Sequence, residues 1–229
     1  MFLTILIFFL RDIIIKKLTI IRVHLGGRDM ERYGIIGGTF DPIHYAHLYI
    51  AYEAREQLQL DKIIFMPAGK QPLKVDNKVT DPELRYEMVK LAIEDYDEFS
   101  ISDYEIEKQG LSYTYLTLEH FNRDDRQLFF ITGADCLMNI EKWREVDKIF
   151  SICTFVVFLR GGFDREKLRA KKEEVERKYN ANIVILELKE LEISSTDIRD
   201  RIRNNKRVDF FIPEKVKNFI EVNGLYKED

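Results

Sequence analysis

Two of the four histidines in this chain, His44 and His47, lie three residues apart. On a helix that spacing places both imidazoles on one face. They follow Gly37-Gly38 and the short apolar run Tyr33–Ile36, a pattern that predicts a strand entering a tight turn. A helix that begins near His44 presents N–H groups and a positive dipole end, which favour an anion. The segment therefore predicts a phosphate-binding turn between a strand and a helix.

Two other interpretations of the histidine pair stay open. The imidazoles could be zinc ligands, although no cysteine or further histidine cluster completes a tetrahedral site. They could instead be packed structural side chains, an interpretation that the preceding glycine turn disfavours. A phosphate site accounts for both the glycine turn and the paired imidazoles.

A second polar cluster lies near the C-terminus, where Ser194, Ser195 and Thr196 precede a predicted helix that carries Arg199. Hydroxyl and N–H groups at that helix start could cradle phosphates, while the guanidinium supplies charge. An ordinary N-cap by Ser194 or Ser195, which contributes ~1 kcal/mol, is the alternative.

Further candidates follow a near-continuous apolar run that predicts a buried strand ending at Gly133. Asp135 could bind a ribose hydroxyl or orient Mg²⁺. Trp143 is the only tryptophan, and it could fill the core or stack on a flat heteroaromatic ring. Tyr113 and Thr114 begin another predicted helix, which is a further position that suits an anion.

The elements that must position these residues alternate along the chain. Predicted strands are Tyr33–Ile36, Lys62–Met66, Phe99–Tyr104, Gln127–Thr132, Thr154–Leu159 and Ile183–Leu186. Predicted helices are Tyr45–Leu58, Pro82–Ile93 (with Asp81 as N-cap), Tyr113–Phe121, Asp164–Tyr179, Ser195–Arg203 and Glu214–Val222. Apolar strands between helices indicate an α/β fold, a Rossmann-like doubly wound parallel sheet with a C-terminal helical segment. Such sheets bind ligands at the carboxyl ends of their strands, where these candidates lie.

Composition excludes several functions. Lys and Arg total 36 against 40 for Asp and Glu, so bulk electrostatic binding of nucleic acid is not the main activity. Two cysteines, Cys136 and Cys153, provide no disulfide framework, which favours a reducing compartment such as the cytoplasm. No membrane partner is expected, and a homo-oligomer stays open.

Residues 1–30 form an apolar extension that does not match the rest of the chain. The apolar run Phe2–Leu10 is nine residues long, whereas a membrane-spanning helix needs ~20, and Lys16 and Lys17 would fall within a longer span. We hypothesise that translation starts at Met30 and that residues 1–29 are not native. The intact mass of the natively expressed protein tests this, and a mass that includes residues 1–29 would contradict it.

The string GGTFDPIHYAHL, residues 37–48, resembles the signature of the nucleotidyltransferase family. In that family a His-x-Gly-His motif on a Rossmann-like fold binds the phosphates of a nucleoside triphosphate. Ala46 stands here in place of the glycine, and its additional methyl group could crowd the closest phosphate. The string ISSTDIR, residues 193–199, is similar to the second phosphate motif of the family.

Three shorter strings, FITGAD, EKW and SYT, resemble the nicotinate-mononucleotide adenylyltransferase branch of this family. The similarity covers residues 31–229, which form one nucleotidyltransferase domain. It implies transfer of the adenylyl group of ATP, bound with Mg²⁺, to nicotinate mononucleotide, giving deamido-NAD and pyrophosphate. In that branch the pyridine ring stacks on the tryptophan and backbone amides near the threonine meet its carboxylate, which assigns these roles to Trp143 and Thr114.

The resemblance also implies a role for each site residue. The catalytic residues are His44, His47, Lys74 and Arg199. The ATP site consists of Gly37, Gly38, Thr39, Phe40, His44, His47, Gly133, Asp135, Ser194, Ser195, Thr196 and Arg199. The acceptor site consists of Thr39, Asp41, Lys74, Tyr113, Thr114, Asn139, Lys142 and Trp143. The protein alone is expected to form no metal site; Mg²⁺ would bind the ATP phosphates, near Asp135.

One loop departs from the branch, which more commonly has a Pro-Pro-His-Lys string there. Gln71 and Leu73 replace the first proline and the histidine, whereas Lys74 is kept. A solvated loop is the alternative role for Lys70 and Lys74. Other functions stay open: adenylyl transfer to nicotinamide mononucleotide or another acceptor such as phosphopantetheine, and nucleotide binding without turnover.

Overall fold

The computed structural model describes residues 30–69, 79–108, 110–159, 164–189 and 191–227 of the chain. In these residues the strands are β1 (Glu31–Gly38), β2 (Lys62–Pro67), β3 (Phe99–Ile101), β4 (Arg126–Gly133), β5 (Cys153–Phe158) and β6 (Ile183–Leu186). The helices are α1 (Tyr45–Leu58), α2 (Pro82–Ile93), α3 (Tyr104–Glu107), α4 (Thr114–Phe121), α5 (Ala134–Met138), α6 (Val146–Ile152), α7 (Arg165–Tyr179), α8 (Ser195–Arg203) and α9 (Glu214–Val222). A short 3₁₀ helix, Ile140–Lys142, joins α5 to α6.

The strands form a parallel sheet in the order β3-β2-β1-β4-β5-β6. The chain winds outward in one direction from β1 and in the other from β4, so the predicted doubly wound sheet is confirmed. The order reverses between β1 and β4, which are paired with Ile36 opposite Ile131. In open α/β sheets the ligand crevice lies at the carboxyl ends of the strands at this switch point.

Helices cover both faces of the sheet, because the strands are apolar on both sides. Ile36 packs in one core and Ile35 in the other, and neither is more than 3% exposed. The core that contains Ile36 receives residues from α1, α2, α8 and α9, such as Leu48, Met88, Ile198 and Val216. The core that contains Ile35 receives residues from α4, α5, α6 and α7, such as Leu118, Leu137, Ile149 and Leu168.

Most predicted elements are confirmed to within two residues, and Asp81 caps α2 by accepting from the Glu83 N–H at 2.9 Å. The predicted strand Phe99–Tyr104 is wrong beyond Ile101. There the Ser102 hydroxyl accepts from the Tyr104 N–H, which starts the one-turn helix α3. The sequence analysis also missed α5 and α6, short helices that immediately flank buried strands. None of the helices in the described parts of the chain is long and apolar enough to cross a bilayer.

The two thiols are expected to differ in reactivity. Burial raises the pKa of Cys153 to about 12, so the reactive thiolate is scarce at pH 8, whereas Cys136 is only half-buried. We expect iodoacetamide at pH 8 to alkylate Cys136 first in the folded protein, as read by mass spectrometry of peptides. Denatured protein, in which both thiols react, is the control. Equal labelling of Cys153 in the folded protein would contradict this prediction.

Candidate active site

The loop between β1 and α1, residues 39–44, is shaped by an aromatic side chain that turns back under it. Phe40 has a φ of 50° and its ring is buried against Phe65 and the edge of His47. A Cβ atom on Gly38 would lie 2.8 Å from that ring, so this glycine is required for the turn. Gly37 is exposed, and a Cβ there would make only ordinary contacts. Gly38 is therefore needed for the conformation of the loop, whereas a side chain at Gly37 would meet no close contact.

His44 and His47 lie together at the start of α1, as the spacing predicts. His44 is the N-cap residue, and the two imidazoles stack with centroids 3.7 Å apart and planes 20° from parallel. The backbone N–H of His44 donates to Nδ1 of His47 at 3.3 Å. Because Nδ1 accepts, the neutral ring of His47 carries its proton on Nε2, which is then a hydrogen-bond donor. His44 is buried and His47 is half-buried.

Not every N–H group at the start of α1 is available to a ligand. The Tyr45 N–H donates to the carbonyl of Phe211 at 2.9 Å. Ala46, whose methyl group was expected to crowd a phosphate, is only 5% exposed and packs within the protein. The Tyr45 N–H is therefore not available to a phosphate, whereas both imidazoles lie at this helix start.

The C-terminal cluster is divided between a cap and a link to the loop. Ser194 is the N-cap of α8, and its hydroxyl accepts from the Asp197 N–H at 3.1 Å. Ser195 instead donates its hydroxyl to the carbonyl of Pro42 at 2.9 Å. The capping interpretation therefore accounts for the first serine and not for the second.

Arg199 makes the same connection between α8 and the β1–α1 loop. Its Nη1 donates to the carbonyl of Asp41 at 2.7 Å, and its Nη2 to the Thr196 hydroxyl at 3.3 Å. The guanidinium thus reaches the segment that leads into His44, although 158 residues separate it from Asp41. The predicted association of the two polar clusters is present in the fold.

The Asp41 side chain points into the protein, where it is 6% exposed. One oxygen accepts from the Tyr226 hydroxyl at 2.7 Å and the other from the Thr80 N–H at 3.3 Å. Burial and the charge of Asp41 together raise the pKa of Tyr226, which keeps this hydroxyl a donor. Both carboxylate oxygens have partners within the protein, and the contact of Asp41 with an acceptor stays a prediction.

At the carboxyl end of β4, hydrogen bonds connect three residues whose side chains are exposed. A Cβ atom on Gly133 would lie 2.4 Å from Oδ1 of Asp135, so the glycine lets this carboxylate fold over the strand end. Asn139 donates to the carbonyl of Asp135 at 2.9 Å and accepts from Lys142 at 2.8 Å. These residues border the crevice between β1 and β4.

Trp143, the predicted stacking surface for a heteroaromatic ring, packs partly against the core and is partly exposed. Trp143 is half-buried and meets the rings of Phe130 and Phe155 nearly edge-on, with centroids 6.1 Å away in each case. The guanidinium of Arg144 lies 4.9 Å from the ring centroid of Tyr113, the N-cap residue of α4. Thr114 is the first residue of that helix. The fold therefore brings the EKW and SYT strings together.

Comparison with known proteins agrees with this geometry. A cytidylyltransferase-like family model matches residues 35–201. A probable nicotinate-nucleotide adenylyltransferase of Clostridium botulinum strain Eklund 17B is 65% identical over 200 residues, which span 87% of this chain and 100% of that protein. This chain belongs to the nicotinate-nucleotide adenylyltransferase family. A second relative of the same name, from Clostridium beijerinckii, is 63% identical over 86% of this chain and 100% of its own length.

Solved structures show that the adenylyltransferase fold is shared at low sequence identity. The Plasmodium falciparum nicotinic acid mononucleotide adenylyltransferase complexed with NaAD superposes with a TM-score of 0.68 at 20% identity, covering 86% of this chain and 97% of that one. A putative nicotinate-nucleotide adenylyltransferase from Vibrio parahaemolyticus gives a TM-score of 0.60 at 18% identity, covering 87% and 98%.

The described residues contain no group of three or more His, Cys, Asp or Glu side chains that could hold a metal ion. Mg²⁺ commonly binds through one or two carboxylates and the substrate phosphates, and the exposed Asp135 could supply one carboxylate. Lys74, Gln71 and Leu73 lie outside the described residues.

Sequence reasoning missed three residues that pack against segments of the candidate site. In the β1–α1 loop, Arg85 donates to the carbonyl of Thr39 and the Tyr226 hydroxyl donates to the carboxylate of Asp41. Glu105, on α3, accepts from the Thr117 hydroxyl at 2.6 Å, and burial raises its pKa against the opposing hydrogen bonds of Thr117 and Ser112. Arg85 had a signal, because it occupies the apolar stripe of α2 with Met88 and Val89. Nothing in the sequence distinguished Glu105.

Proposed function

We propose that this chain transfers the adenylyl group of ATP to nicotinate mononucleotide, giving deamido-NAD and pyrophosphate. The observation that carries the proposal is the junction of α1 and α8. Stacked His44 and His47 begin one helix, while Ser195 and Arg199 of the other bond the carbonyls of the loop that leads into them. Membership of the adenylyltransferase family and the switch-point crevice support the same reaction.

The reaction needs positioning and charge neutralisation more than a general base. The acceptor phosphate is already an oxyanion at pH 7. One of its oxygens forms a bond to the α-phosphorus of ATP while the bond to the β-bridging oxygen breaks, and pyrophosphate leaves with that electron pair. Repulsion between the two polyanions is the main obstacle, so cations and N–H donors must converge on the transferring group.

The described residues supply such donors in an acidic protein of net charge −4. Nε2 of His47 donates to a phosphate oxygen, and the stacked His44 ring fixes its orientation. Arg199, held against the loop through Nη1, adds positive charge. Asp135 would supply one carboxylate to Mg²⁺ bound with ATP, and the ion would neutralise charge on the phosphates. Lys74 stays a predicted cation of the same site.

The acceptor is proposed to lie across the other side of the crevice. The pyridine ring stacks on the exposed surface of Trp143, and the N–H groups at the start of α4, near Thr114, meet its carboxylate. Asn139, beyond the β4 end, belongs to the acceptor site, and Asp135, whose carbonyl it bonds, belongs to the adjoining ATP site. A site built around amide donors rejects a ligand that cannot accept both hydrogen bonds.

An assay of pyrophosphate release with ATP and paired acceptors tests this function. We expect kcat/KM for nicotinate mononucleotide to exceed that for nicotinamide mononucleotide by at least ~10²-fold, because the amide cannot replace a carboxylate between N–H donors. Phosphopantetheine serves as an unrelated acceptor. Comparable turnover of acid and amide would contradict the acceptor assignment, and the absence of pyrophosphate with every acceptor would contradict the reaction.

We propose that the reaction takes place in the cytoplasm. The chain has only two cysteines, Cys136 and Cys153, and so low a cysteine content is typical of proteins from a reducing compartment.

A further inference from the structure

Arg85, on α2, is the most deeply buried charged side chain in the described residues, with 1% of its surface exposed. Burial lowers the pKa of its guanidinium, and the charge of Asp41 partly offsets this effect. Burying a cation away from water is unfavourable unless its donors are satisfied. Hydrogen bonds from the Arg85 guanidinium must therefore compensate for its burial.

The guanidinium bonds three backbone carbonyls that belong to three separate segments. Nη1 donates to Thr39 at 2.6 Å, Nη2 to Ala68 at 2.7 Å, and Nε to Thr80 at 2.9 Å. Thr39 opens the β1–α1 loop, Ala68 follows β2, and Thr80 precedes α2. Arg85 thus joins the carboxyl ends of two neighbouring strands, which pair through Gly38 and Pro67.

Only arginine can make this set of contacts at one position. Its planar fork presents several N–H groups at fixed angles, whereas a lysine ammonium is a single point of charge on a flexible stem. A lysine carries its three donors on one nitrogen, so it cannot reproduce the spacing with which three separate nitrogens now hold the three carbonyls.

The bond to Thr39 also sets the direction of a backbone donor. In a planar trans peptide the N–H points opposite to the C=O. Fastening the Thr39 carbonyl to the buried guanidinium therefore directs the Phe40 N–H to the opposite side of the loop. Phe40 belongs to the predicted ATP site. Arg85 therefore sets the direction of a backbone N–H in that site, although its own side chain is not part of the site.

We propose that Arg85 is a positioning residue of the adenylyl transfer, which holds the β1–α1 loop and the end of β2 in the arrangement that the phosphates require. This inference rests on the proposed function. Loosening the loop by ~1 Å is enough to cost ~10²-fold in rate when reacting groups must be aligned. The role predicts a loss of activity that is larger than any loss of stability explains.

The test compares Arg85→Lys with a matched arginine at the other end of the sheet. Arg32, near the start of β1, likewise bonds the Leu58 carbonyl at 3.0 Å and the Gln127 side chain at 2.8 Å. We expect Arg85→Lys to lower kcat for the preferred acceptor by ~10²-fold at a temperature where the variant is fully folded. Arg32→Lys, with a comparable fall in Tm, is expected to keep kcat within about twofold.

Further measurements separate positioning from general destabilisation. Adding ethylguanidinium to Arg85→Ala is expected to restore part of kcat, and it should not affect Arg32→Ala. If Arg85→Lys does not fold, Arg85→Gln carries the same comparison. Retention of wild-type kcat by the folded Arg85 variants, or equal losses at both arginines, would overturn the inference. An inactive wild-type enzyme would instead count against the proposed function, and then titration with an ATP analogue makes the same comparison through Kd.

Discussion

Replacing His47 by alanine is expected to lower kcat by ~10²–10³-fold, the usual cost of one lost donor to transition-state charge. The variant loses the Nε2–H that we propose donates to a phosphate, and the Nδ1 that accepts from the His44 N–H at 3.3 Å. That second loss resembles removal of a helix cap, which costs ~1 kcal/mol and lowers Tm by ~2–4 °C in a protein of this size. Pyrophosphate-release kinetics and a thermal melt measure the two effects separately.

Two further variants make the result specific to the donor. His47→Gln can place an amide N–H near the position of Nε2, so it is expected to recover part of the lost kcat. His120, which is exposed and stacks on Tyr104 at the far end of α4, is the control histidine. His120→Ala is expected to keep wild-type kcat. A fully active His47→Ala enzyme would remove this histidine from the mechanism.

The sheet was predictable because its main strands appear in the sequence as runs of apolar residues. The strands β4 and β5 are near-continuous apolar runs and β1 contains a shorter one, since helices cover both faces, and each ends at or near a glycine. The segment after Ile101 was not predictable from alternation, because a local hydrogen bond from the Tyr104 N–H to Ser102 redirects the chain. Such short-range competition leaves little trace in hydrophobic periodicity.

The site was predictable where residue type and spacing coincide, and not where long-range contacts decide. The three-residue spacing of His44 and His47 is local, so their shared face follows from helix geometry. Arg199 and Asp41 are 158 positions apart, and only the family resemblance assigned both to one site; the bond between them required the fold. The role of Arg85 could not be predicted from the sequence, because the three carbonyls that it bonds belong to segments that only the fold brings together.

The buried carboxylate of Asp41 is expected to contribute more stability than any other single polar group beneath the loop. It accepts from Tyr226 and Thr80, and its negative charge opposes the buried positive charge of Arg85. Asp41→Asn keeps the volume but removes the main charge that offsets the buried guanidinium, and its amide nitrogen cannot accept from either donor. We expect these losses together to cost ~3 kcal/mol, or a fall in Tm of ~6–12 °C.

The partner variant Tyr226→Phe isolates the contribution of the hydroxyl. It removes one hydrogen bond to a charged group, so we expect a loss of ~1.5–3 kcal/mol in urea unfolding. In the double variant the losses should be less than additive, because the bond from Tyr226 to Asp41 at 2.7 Å can be removed only once. If Asp41→Asn cost no more than Tyr226→Phe, the carboxylate would act as a simple hydrogen-bond acceptor and its charge would not stabilise Arg85. Strict additivity of the two losses would show that the hydroxyl and the carboxylate stabilise the loop independently.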